Sequence, residues 1–149
     1  MQRWIVVGVV AMMLGLGGGG YAWWNHKQNR PAPLWVPMPI NPERTDEERE
    51  KVAKELKAKL DNPAILIQIS KDLNLTHKWN LPSDEAAAGE ISKRLFVRVG
   101  EADTPMGKVP SINVGVDGKV KEMKVTGEIA TRLMKETMKI FGIKPPQPE

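Results

Sequence analysis

The sequence predicts an α+β fold: a single N-terminal transmembrane helix, then a small mixed sheet packed with helices. Three observations predict it. No charged residue falls between Trp4 and Trp24. From Thr45 to Leu95 apolar residues recur at helical spacing behind residues that cap helices. Leu95, Val97 and Val99, and later Ile112, Val114 and Val116, then alternate with other residues, as in a half-buried strand. The chain divides into an anchor over 1–24, a Pro-rich linker with an edge strand over 25–44, an α+β domain over 45–143 and a disordered tail over 144–149.

The first 24 residues carry the membrane expectation. At about 1.5 Å per helical residue, Trp4–Trp24 is long enough for a hydrocarbon core of about 30 Å. Trp4 at one end, and Tyr21, Trp23 and Trp24 at the other, fit interfacial anchor positions. A cleaved signal peptide is the rival, with Arg3 as its basic start and Gly20-Tyr21-Ala22 as its cleavage site; the aromatic ends favour an uncleaved anchor. Arg3 before the span and Lys27 and Arg30 after it leave orientation unsettled by charge. Ala11, Gly15 and Gly19 form a small-residue ladder that would let two spans associate. The glycines of 17–20 read equally well as a weakened helix end.

Pro31, Pro33, Pro37, Pro39 and Pro42 exclude a helix, and Leu34-Trp35-Val36 among them suggests a short edge strand. Thr45-Asp46-Glu47-Glu48 is a capping box opening a helix with Val52, Leu56 and Leu60 inward. Asn62-Pro63 starts a second element. Ile65, Leu66, Ile69 and Leu73 read as a helix there, although Ile65, Ile67 and Ile69 alone would also suit a strand. Ser83 caps the next helix, with Asp84 and Glu85 in its first turn and Ala87, Ile91 and Leu95 inward. Trp79 is expected to anchor the loop between these two helices, buried between them.

After Val99, the segment Gly100–Pro110 reads as a polar loop. It fails as a phosphate loop: its glycines are too far apart, and Val109 rather than Ser or Thr follows Lys108. Asp117-Gly118 signals a tight hairpin, with a return strand over Lys119–Val125. Thr126 then caps a last helix, which Gly142 stops, with Ile143 placed to pack back on Met138.

Composition narrows the function classes. The 149 residues include 22 basic and 18 acidic side chains, a net charge of +4, and these are interleaved rather than clustered. That argues for a solvated mixed surface and no nucleic-acid partner. Zero cysteines removes disulfides, thiolate metal sites and cysteine nucleophiles. His26 and His77 have no second ligand in reach, and no Gly-x-Ser-x-Gly or HExxH run is present. Asp84 and Glu85 are explained as helix-start acids, and Met123, Met134 and Met138 as core. No active site, metal or cofactor is expected, and the chain reads as non-enzymatic.

One stretch carries a resemblance. Leu73-Asn74-Leu75, Lys78-Trp79, Asp84-Glu85-Ala86, Lys93-Arg94-Leu95 and Val97-Arg98 together resemble the periplasmic domain of bacterial polysaccharide co-polymerases, the chain-length determinant family. The likeness runs from Ala32 to Phe141 and is strongest over Asn62–Val99. It implies an amino terminus in the cytoplasm and a domain on the periplasmic side of the inner membrane; the single pass is read from the one apolar stretch, Trp4–Trp24. It also implies a homo-oligomer that meets polysaccharide polymerisation or export proteins. Leu75, Trp79, Leu95 and Val97 are then structural, beside Gly118 at the hairpin and Gly142 at the helix stop. The family's second span, and the tyrosine kinase of some members, have no counterpart in these residues, which puts ordinary chain-length control in doubt. The DG hairpin followed by a helix also resembles the periplasmic ends of energy-transducing envelope proteins, which bind a partner's strand. A structural envelope protein is the third reading.

Overall fold

The computed structural model describes residue 21 and residues 23–143. In chain order the elements are β1 (Leu34–Pro39), α1 (Asp46–Leu60), α2 (Pro63–Leu73), α3 (Leu75–Trp79), α4 (Asp84–Arg94), β2 (Leu95–Thr104), β3 (Gly107–Val116), a 3-10 turn (Val120–Glu122) and α5 (Met123–Ile140). The sheet has three strands in the order β1-β3-β2, and both pairings are antiparallel. It is therefore not the mixed sheet expected.

The membrane expectations need a second correction. Among the described residues no helix is long and apolar enough to cross a membrane. The described helical residues over 23–28 include Asn25, His26, Lys27 and Gln28, which are polar. The span expected over Trp4–Trp24 otherwise falls outside the described residues, as does the tail over 144–149. Neither the one-span fold class nor the single-pass inner-membrane placement is retained.

Local chemistry accounts for the helix starts. The Thr45 hydroxyl accepts from the Glu48 N–H at 3.3 Å, and the Glu48 carboxylate accepts from the Thr45 N–H at 3.0 Å. Asn62 caps α2 by accepting from Ala64 N–H at 2.9 Å, with Pro63 behind it. That start resolves the Ile65–Ile69 ambiguity as helix, since one side of α2 must reach the core. Leu66 and Ile69 are buried there, while Gln68 is exposed. Ser83 caps α4, accepting from Ala86 N–H at 3.2 Å. Between these helices the expected loop contains the short helix α3. Asn74 and Asn80 bound it, both at φ 51, a conformation Asn tolerates better than most residues.

Two other expectations fail at the sheet. Gly100–Pro110 is not a loop, because β2 and β3 continue through it as a hairpin. The turn is Pro105-Met106, and the residue at positive φ is Gly107, at 111°. Its glycine comes just after the turn pair, so the sequence shows no Asn-Gly or Asp-Gly signal. The Thr104 hydroxyl closes the turn by donating to the Gly107 carbonyl at 2.6 Å.

Asp117-Gly118, by contrast, makes no hairpin. The linker occupies the pairing groups that a return strand would need: Ala32 N–H donates to the Gly118 carbonyl at 2.8 Å, and Val120 N–H to the Arg30 carbonyl at 3.1 Å. The chain then turns into α5 through the 3-10 turn, and Thr126 packs into the space a side chain at Gly118 would need. At the far end of α5, Gly142 sits at φ 68, and Ile143 N–H donates to the Met138 carbonyl at 2.8 Å. With Gly142 N–H on the Lys139 carbonyl at 3.1 Å, this is the Schellman pattern.

The helices form one layer on one face of the sheet. Leu60, Ile69, Ile91 and Leu133 are fully buried in a cluster with Ile112 and Val114 of the central strand. Burial of each such side chain contributes about 1.5–3 kcal/mol relative to exposure.

Candidate functional site

Strand alternation divides the sheet into two faces. In register, Leu34, Val36 and Met38 of β1 lie beside Val116, Val114 and Ile112 of β3 and Leu95, Val97 and Val99 of β2. This face meets the helices. Where all three strands pair, the opposite face has three rows: Trp35, Gly115 and Phe96; Pro37, Asn113 and Arg98; Pro39, Ser111 and Gly100; β2 and β3 alone continue it through Ala102–Val109 and Thr104–Gly107. It carries no helix of that layer.

Each row is shaped by its neighbours. A Cβ at Gly115 would lie 2.6 Å from Trp35 Cβ and 2.7 Å from Phe96 Cζ, so only glycine lets both aromatics close over the central strand. Phe96 is thereby buried outside the main core, while Trp35 stays 50% exposed. The Arg98 guanidinium stacks on the Phe96 ring, 4.7 Å from its centroid. Arg98 is itself exposed, and no carboxylate pairs with it among the described residues. Asn113 accepts from the Ser111 hydroxyl at 3.0 Å, and its amide lies across the space a side chain at Gly100 would need. The prolines fit because β1 is an edge strand. The result is a shallow face with one aromatic ring in water, one free guanidinium and no acid in its three rows.

A second candidate region is a cleft of about 550 Å³ where α3 and α4 meet the 3-10 turn and α5. Trp79 lies in it, half-buried, with the Arg94 guanidinium 4.9 Å from its ring centroid. Arg94 donates to Glu90 and to Glu122, each at 2.9 Å. Burial works against its charge, but these two carboxylates outweigh that and push its pKa further up. On the rim Lys78 pairs with Glu128, and its hydrogen bond holds that carboxyl below its ordinary value. Arg94, Glu90, Glu122, Lys78 and Glu128 satisfy one another, while Lys121, also in the lining, has no carboxylate partner among the described residues. The one unsatisfied atom is the buried indole N–H of Trp79.

The structure scatters the residues singled out in the sequence. Leu75 and Leu95 are buried, Val97 is half-buried and Trp79 lines the cleft. Tyr21, Trp23 and Trp24 are exposed, with Lys27 4.1 Å from the Trp23 ring centroid. Trp4, Ala11, Gly15 and Gly19 lie outside the described residues. Asp84 accepts from the buried Ser70 hydroxyl at 2.7 Å. Backbone hydrogen bonding at the helix start holds the Glu85 carboxyl low, so the two acids serve the helix start. Among the described residues no group of His, Cys, Asp or Glu could hold a metal ion.

Sequence reasoning missed the open face. Its signal was present: Gly115 is an isolated glycine within an alternating strand, which marks a close approach, and Phe96 and Arg98 share the phase opposite the buried face. Compared with protein-family models, curated proteins and solved structures, the chain matches none.

Proposed function

We propose that this chain is a non-enzymatic accessory of polysaccharide assembly, chain-length control or export, acting by self-association and contact rather than by chemistry. The resemblance over Asn62–Val99 supports the polysaccharide part. The observation that carries the binding part is the open sheet face, where Trp35 keeps half its surface in water in the row it shares with Gly115 and Phe96. A ring left exposed on a sheet face is suited to stacking against a ligand. The energy-transducing alternative loses the DG hairpin it leaned on, since Asp117-Gly118 leads into the last helix.

The test is genetic. Deleting the gene in its own host should change the amount or length distribution of an exported polysaccharide, read on gels. Complementation with Trp35→Ala should fail although the protein accumulates normally. Unchanged polysaccharide in the deletion strain would overturn the proposal.

A further inference from the structure

Resting on that reading, we infer that the open face binds an extended acidic saccharide chain, with a sugar carboxylate on Arg98 and a sugar ring stacked on Trp35. Charge complementarity identifies the ligand. Arg98 is the one ionic group in the three rows, and no carboxylate pairs with it among the described residues. The guanidinium lies over the Phe96 ring, 4.7 Å from its centroid, and is exposed, so its N–H groups are available to a carboxylate, which a guanidinium can take in two parallel hydrogen bonds. Phe96 and Gly115 hold both recognition groups in place before binding, which lowers the ordering cost. Between them Asn113 offers an amide suited to hydroxyl groups, and its oxygen already accepts from Ser111.

Size and charge argue against the other occupants. Rows two residues apart lie about 6.8 Å from one another, so the three-stranded rows run about 14 Å along the strands and the β2–β3 rows about 27 Å, with neighbouring strands about 4.8 Å apart. A strip of those dimensions falls well short of the roughly 800 Å² per partner of a stable protein interface, which disfavours a second copy as its occupant. A single-stranded nucleic acid would stack on the same ring, but its affinity comes from neutralising several phosphates, and this face holds one cation. An acidic saccharide needs one cation for each carboxylate it presents and can lie along the strip.

The experiment uses the purified full chain in affinity electrophoresis through gels containing polygalacturonate, beside gels containing its methyl-esterified, uncharged counterpart. The wild type should be retarded by polygalacturonate. Arg98→Gln and Trp35→Ala should each weaken that retardation about tenfold or more. Arg98→Gln should behave like the wild type in the esterified gel. Lys121→Gln, in the cleft, should change nothing. Thermal melts check each variant, and if Trp35→Ala unfolds, the exposed Arg98→Gln decides alone. Absence of retardation, equal loss with Lys121→Gln, or stronger binding to a single-stranded oligonucleotide overturns the inference. Retained binding with normal polysaccharide in the deletion strain would instead overturn the assembly reading and leave the site standing.

Discussion

Trp79 and Trp35 both leave part of an indole in water, yet their surroundings differ in kind. Around Trp79 the fold brings Arg94, Glu90 and Glu122 together from two elements, and these side chains hold one another. Around Trp35 the neighbours are glycine, proline and a ring, and Arg98 has no such partner among the described residues. A cleft is often the first place to look for function. Here the guanidinium of the cleft is held by two carboxylates, although the Trp79 indole N–H is left without a partner, whereas the guanidinium of the shallow face has no carboxylate partner among the described residues. An aromatic beside a charge therefore signals binding only when that charge has no partner inside the fold.

The largest effect should separate the two tryptophans directly. Trp79→Ala is expected to destabilise the domain by about 3 kcal/mol, since it removes packing against the core and the ring under Arg94. Trp35→Ala should cost no more than about 1 kcal/mol, as the ring is half in water. Urea unfolding followed by far-ultraviolet circular dichroism reads both, and equal losses would erase the contrast. Next comes Gly115→Ala, whose new methyl meets Trp35 and Phe96. It should cost about 2 kcal/mol by overpacking and shift the tryptophan near-ultraviolet signal, whereas an unchanged spectrum would mean that the rings are not seated there.

Arg94→Met sharpens the cleft side. It leaves two carboxylates that had shared one cation, so a loss of about 1.5 kcal/mol is expected from the urea midpoint at unchanged slope. The smallest effect is in acid. Arg132 holds Asp72 below the ordinary carboxylate range through its hydrogen bond, and Lys78 does the same for Glu128. A carboxyl depressed in the folded state adds stability that is complete above its unfolded value and is lost as the pH falls through its folded one. Melting temperature should thus decline once the pH drops below about 4. Asp72→Asn should soften that decline slightly, and 1 M salt should mask the difference, because the pair is exposed.

Local signals were legible and long-range ones were not. Thr45, Asn62 and Ser83 announced three helices correctly because a cap acts within three residues of itself. The hairpin was misplaced because Asp117-Gly118 has the chemistry of a turn, but the linker from Arg30 to Ala32 had already taken the pairing groups beyond it. No local pattern reports that competition. The open face escaped notice for the same reason: Trp35, Gly115 and Phe96 lie far apart in sequence, and only the strand order β1-β3-β2 makes them one row. The resemblance run drew attention to Trp79, which proves to be packed into its own charge network.

That strand order has a kinetic consequence. β2 and β3 are joined by two residues and can pair at once, whereas β1 must wait for the helices between it and its partner to gather. Strand pairs of this local kind form in microseconds, and closing the long loop costs entropy that only later contacts repay. The strand bearing Trp35 is thus the last to arrive and, as an edge held on one side, among the first to leave. Arg98 waits on a preassembled hairpin, and the ring that completes the row docks at the final step, so the complete row exists only once the chain has finished folding.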